Sequence, residues 1–187
     1  MSYRLPSLHA SGFRGAWSRG WNLSSTLQAR TGFPFDVTSS DRTIGLGFAN
    51  TGRPDLIFGV PIWIENSSVP GGRELNPAAF AATSELTNGA LGRNILTGPG
   101  LFQIDASLRR QFRLFGAASL ETSITAFNVL NHAGFSNPVG YLGSALFGQP
   151  ASMQNLMLGS GTPTNGLTPI FQSGGPRTVE MNFKFSF

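Results

Sequence analysis

The chain closes on RTVEMNFKFSF, residues 177–187, and the alternation there is unbroken. Val179, Met181, Phe183, Phe185 and Phe187 fall on one face, and Thr178, Glu180, Asn182, Lys184 and Ser186 on the other. Successive side chains of a β-strand point to opposite faces, so this segment reads as a ribbon apolar on one side and wettable on the other. Its length suits a bilayer crossing, which takes ~9 to 11 tilted residues. A face of that kind either packs against a second sheet in a soluble sandwich or meets lipid in the wall of a transmembrane β-barrel. Three further segments favour the barrel.

In the first, from Gly20, the odd positions Trp21, Leu23, Leu27 and Ala29 are mostly apolar, and the even ones Asn22, Ser24, Thr26, Gln28 and Arg30 are polar. The expected strand covers about residues 17–37, with Pro34 near the exit, where a strand end tolerates it. The second, 101–114, places Phe102, Ile104, Ala106, Leu108, Phe112 and Leu114 against Gln103, Asp105, Ser107, Arg109, Gln111 and Arg113. The third, 119–130, places Leu120, Thr122, Ile124 and Ala126 against Ser119, Glu121, Ser123 and Thr125.

Between the last two, Phe115, Gly116 and Ala117 form a turn. A three-residue loop keeps the faces matched, setting residue 112 against 120 and 108 against 124, whereas a two-residue loop would put them out of register. Gln111 then stands opposite Glu121, with Arg109 and Arg113 on the diagonals. Arg109, Arg113 and Glu121 are therefore expected to form a charge network on the lumen side. Arg110 breaks the apolar face. At mid-bilayer it would cost ~2 to 4 kcal/mol, falling to ~0 to 1 near the interface, and its position close to the turn lets it snorkel towards headgroups. Trp21, Phe112 and Phe187 are expected in a lower aromatic girdle, and Phe33, Phe35 and Phe102 in an upper one.

Residues 38–100 and 131–176 are punctuated by Gly and Pro and read as two long loops. The connections run long, short, long, the asymmetry of an outer-membrane barrel with long loops outside the cell and tight turns in the periplasm. That orientation puts the carboxyl terminus in the periplasm. The expected fold is thus all-β, an antiparallel transmembrane β-barrel segment of about four to five strands, an incomplete barrel with two long extracellular loops.

Composition agrees. Only 12% of the chain is charged, against roughly 25% in ordinary soluble domains, and no apolar run reaches the ~18 residues of a membrane helix. The net charge of +4 comes from scattered arginines, with Arg109 and Arg110 the one adjacent pair, so nucleic acid is not an expected partner. There is no cysteine, hence no disulfide or thiolate metal site. His9 and His132 lack partners at ligand spacing, no nucleophile elbow or phosphate loop occurs, and the glycine pairs at 45/47 and 98/100 lack a third glycine. Neither metal, cofactor nor catalysis is expected. The first twenty residues hold no export signal, so the reading is of the tail of a longer polypeptide or of a truncated gene. Trp63, Phe58, Phe80, Phe147 and Phe171 are loop aromatics, expected to pack loop on loop rather than to touch substrate.

LGRNILTGPG (91–100), FQIDASLRRQFRL from Phe102, AFNVLNHAGFSNP (126–138) and the terminal FKFSF resemble the carboxy-terminal end of Oar-like TonB-dependent outer-membrane receptors. GWNLSSTLQARTGFPFDVTS from Gly20, GRPDLI from Gly52 and NPAAF from Asn76 are similar to the same family in the same order. The resemblance implies a large barrel around an amino-terminal plug, released by the TonB system to admit substrate. It further implies that Phe183, Phe185 and Phe187 are the signal read by the barrel-assembly machinery. Outer-membrane lipid, that machinery and the remaining barrel and plug are the implied partners, and the plug is absent from these 187 residues. Two alternatives stand beside it: a soluble surface β-sandwich that binds carbohydrate or protein, needing Leu23, Leu108, Ile124 and Phe183 to meet as a core, and a porin-like or autotransporter-like barrel segment.

Overall fold

The computed structural model describes residues 1–6, 18–44, 48–83, 88–158 and 173–187. The chain divides into two compact units. A sheet unit comprises Met1–Ala29, Phe102–His132 and Pro176–Phe187; a loop unit comprises Arg30–Leu101 and Ala133–Gly175.

The sheet unit is built on β1 (Ser2–Arg4), β2 (Trp21–Arg30), β11 (Leu101–Arg113), β12 (Ser119–Phe127) and β13 (Thr178–Ser186), hydrogen-bonded in that order into one five-stranded sheet. Pairing of β1 with β2, β11 with β12 and β12 with β13 is antiparallel. Between β2 and β11, Ser24 Oγ donates to the Ser107 carbonyl and the Arg110 guanidinium lies 5.5 Å from the Trp21 ring. As β2 ascends from 21 to 24, β11 thus descends from 110 to 107, again antiparallel. Every neighbour reverses direction, and the sheet is not closed.

The β11–β12 register is the one that face matching demands, with Leu108 opposite Ile124 and Phe112 opposite Leu120. Gly116 adopts φ 57° in the turn, a left-handed conformation that glycine takes without a Cβ penalty. The strand expected over 17–37 is interrupted: β2 ends at Arg30, and the next pairing is the separate β3 (Pro34–Phe35). Pro34 cannot extend a sheet ladder inward, and Gly32 sits so close to the Gly98 carbonyl oxygen that any Cβ there would collide with it. Trp17 lies outside the described residues.

The two stretches expected as loops are folded. In the loop unit β3 pairs with β10 (Leu96–Thr97), β4 (Ser40–Ile44) with β5 (Phe48–Gly52), β6 (Asp55–Leu56) with β9 (Phe80–Ala81), and β7 (Trp63–Glu65) with β8 (Arg73–Leu75). Runs of two to five residues are too short for alternation to register, which is why glycine and proline dominate the sequence signal there. Asn76 caps a short 3-10 turn, Pro77–Ala79, by accepting from the Ala78 N–H, with Pro77 at the position where a missing N–H costs nothing.

That turn delivers Ala79 and Phe80 into a core with Phe35, Val37, Leu75, Leu91, Leu96 and Phe147. Phe80 and Phe147 meet edge to face at 5.7 Å, and Phe35 meets Trp63 likewise at 6.3 Å. Phe35 therefore belongs to this core and not to an upper membrane girdle. Carboxylates tie the connections down: Glu74 accepts from Asn66 Nδ2 at 2.7 Å and Gln149 Nε2 at 2.9 Å, and Asp36 accepts from the Asn94 N–H at 2.6 Å.

Candidate functional site, an apolar belt backed by a polar face

One face of the sheet unit carries Leu108 and Phe112 from β11, Leu120 and Ile124 from β12, and Val179, Met181, Phe183 and Phe185 from β13. The register places Met181 against Ile124 and Phe185 against Leu120. These side chains pack beside one another across strands and yet stay open outward: Phe183 is 71% exposed and Met181 63%. Tyr3 and Leu23, paired across β1 and β2, are exposed as well. A contiguous apolar surface of this kind would drive association in water. Hydrocarbon is the solvent in which it costs nothing. Leu23, Ile124 and Phe183 lie on one sheet and are exposed, so they form no sandwich core.

Arg110 is the one charge on this belt, and it is 8% exposed. Its guanidinium lies 4.2 Å from the centre of the Phe112 ring and 5.5 Å from that of Trp21. The rings cover the charge and attract it through their negative faces, worth ~0.5 to 2 kcal/mol. Aromatic cover thus takes the place of the snorkelling expected from sequence.

The opposite face is polar. Ser107 and Thr125 hydroxyls bond at 2.9 Å, and Gln111 Nε2 donates to Ser119 Oγ at 3.1 Å. Glu121 stands opposite both Gln111 and Lys184, and its carboxylate pairs with Arg109 Nε at 3.3 Å. Arg113, the third member of the expected network, makes no ion pair among the described residues. The arrangement is one exposed pair flanked by further cations, not a closed network. Phe183 and Phe185 are on the belt and Phe187 follows the last paired residue, fully open.

A polar knot that alternation does not announce closes the other end of β11 and β12. Asp105 accepts from Gln103 Nε2 and from the Asn128 N–H, both at 2.8 Å. Asn128, in a left-handed conformation at φ 48°, donates from Nδ2 to the His132 carbonyl and accepts from the His132 N–H. Gln103 and Asn128 are almost completely buried. Asp105 thus anchors the chain leaving the sheet. Asn is enriched among non-glycine residues that take φ above zero, the one sequence signal that could have flagged Asn128. His132 contributes backbone atoms to the knot, and His9 lies outside the described residues. No cluster of His, Asp or Glu among the described residues could hold a metal ion.

An open antiparallel sheet with a continuous outward apolar belt and a charged reverse face is a wall segment of a transmembrane β-barrel. The family model for the outer membrane beta barrel domain matches residues 1–156, and the chain belongs to that family. It is a barrel segment of the outer membrane. No curated protein and no solved structure matches it.

Proposed function

We propose that this chain is the carboxy-terminal barrel segment of a TonB-dependent outer-membrane receptor that binds or takes up a solute at the cell surface. The observation that carries the reading is the loop unit. Both long excursions leave the sheet from the end opposite the Phe115–Ala117 turn, and they fold around a shared apolar core. A surface held by a packed core presents contacts in fixed positions, which a ligand-capturing receptor needs and a plain anchoring strand does not. The strings that resemble Oar-like receptors supply that core and its ties: Phe35 and Val37, Leu91 and Leu96, and the Asn76 cap.

In this reading the excursions face outward and the carboxyl terminus lies in the periplasm. Phe183, Phe185 and Phe187 serve the barrel-assembly machinery, lipid covers the belt, and the missing strands and plug complete the transporter. The chain itself performs no chemical conversion.

Orientation is tested with a membrane-impermeant maleimide. Phe58→Cys, at a fully exposed loop position, should label in intact cells, and Gly116→Cys only after the outer membrane is permeabilised. The reverse pattern overturns the reading. Capture of the TonB protein by the assembled barrel solubilised from outer membranes tests energy coupling; failure to capture it would favour a porin-like segment.

A further inference from the structure

We propose that the polar face of the sheet, in its half next to the Phe115–Ala117 turn, is a docking surface for a carboxylate-rich stretch of polypeptide. The inference rests on the polar face lining a barrel interior. Arg4 pairs across β1 and β2 with Asn22; the Ser24–Ser107 and Trp21–Arg110 contacts align Asn22 with Arg109; and Arg109 stands opposite Ser123, itself opposite Asn182. One row thus crosses all five strands. The next two rows towards the turn add Lys184, through Gln111 and Glu121, and Arg113, through Ser119 and Ser186. Arg19, just before β2, lines a cleft of about 480 Å³ with Arg4, Gly20 and Asn22.

Among the described residues, four cationic side chains, Arg4, Arg109, Arg113 and Lys184, therefore share this half of the face, with Arg19 at its edge in the cleft, against one side-chain carboxylate, Glu121, already paired with Arg109. The other polar-face carboxylates, Asp105 and Glu180, lie towards the opposite end, Asp105 engaged by Gln103 and Asn128. The cations are exposed, and Arg109 is open over 61% of its side chain. Held inside a barrel, such an excess of one sign focuses a field that favours an anionic occupant.

The spread of the charges selects the occupant. At ~4.8 Å between strands, the distance from β1 to β13 is roughly 19 Å. That is several times the reach of one small anion and comparable to an extended segment with acidic side chains along it. Nucleic acid is disfavoured because this half of the polar face of β11, β12 and β13 carries no aromatic side chain for bases to stack on; Phe127, on the same face, lies at the far end and is buried.

Lys184 is the chain's single lysine, so a zero-length carbodiimide reagent reports which carboxylates touch this face. In outer-membrane vesicles holding the protein as cells assemble it, Lys184 should form amide links to carboxylates that do not belong to the five strands. Arg109→Lys and Arg113→Lys, which keep the charge and add an amine, should each add links to the same acidic stretch. Neutralising both sites with Arg109→Gln and Arg113→Gln should lower the Lys184 yield several-fold. Links confined to Glu121, yields indifferent to the double neutralisation, or links that appear only after nuclease treatment would overturn the proposal. In the same vesicles, a bilayer-soluble quencher should reach a fluorophore on Met181→Cys, which lies on the belt and off this face. Quenching there without cross-links sinks the docking surface alone; no quenching sinks the barrel reading on which it rests.

Discussion

In the loop unit Leu75 is fully buried and Phe80 and Phe147 close around it, whereas in the sheet unit Phe183 is 71% exposed and Met181 63%. The two regions use the same kinds of apolar side chain for opposite ends. One removes them from water by folding chain over chain, with polar ties such as Glu74 holding the connections. The other leaves them outside and turns the polar groups to its reverse face. A residue's place on a hydropathy scale therefore does not decide whether it is core; the solvent that its element faces decides that.

Truncation at Leu75→Ala should give the largest effect, because the vacated volume lies in a core closed on every side. The expected loss is ~2 to 5 kcal/mol in the loop unit, read as protease cleavage of the excursions in intact outer membranes while the strands stay protected. If the loop unit resists protease unchanged, its core is not what holds it. Met181→Arg comes next, at ~2 to 4 kcal/mol near the bilayer midplane, measured by denaturant unfolding of the assembled barrel in bilayers. Its neighbour on the polar face, Glu180→Arg, should be close to neutral in the same assay. Equal costs at the two positions would erase the distinction between the faces.

A smaller effect, ~0.5 to 2 kcal/mol, is expected for Trp21→Ala, which uncovers the Arg110 guanidinium. Adding Arg110→Leu to that variant should recover stability, since no charge is then left to shield; a further loss instead would mean that Arg110 matters for its packing rather than its cover. Least of all, Glu121→Gln should cost no more than ~1 kcal/mol, because Arg109 and Glu121 are 61% and 34% exposed and water screens the pair. The same denaturant measurement, repeated at high salt, should find the difference between Glu121 and the variant gone.

Alternation made β11, β12 and β13 legible, down to the opposition of Leu108 with Ile124 and of Gln111 with Glu121, because period two persists over nine or more residues there. The loop unit was not legible. Its strands are two to five residues long, and Leu75, Leu91 and Phe147, distant in sequence, converge through hydrogen bonds accepted by Glu74 and close backbone approaches such as Gly148 against Leu75. For the charges, spacing placed Arg109 beside Glu121 but could not say that Arg113 would stand apart. That depends on side-chain geometry and not on register. The Trp21 cover over Arg110 was hidden for a related reason, since it joins β2 to β11 across a strand pair far apart in the chain.

The direction of the two rims has a further consequence. With every neighbour reversed across five strands, β1 and β13 run the same way. A second copy inserted with the same orientation would bring its β1 alongside β13 in parallel, the wrong sense for an all-antiparallel cylinder. Self-ringing is therefore barred by odd-number arithmetic alone, and whatever bridges the gap must itself supply an odd set of strands, beginning and ending opposed to these rims.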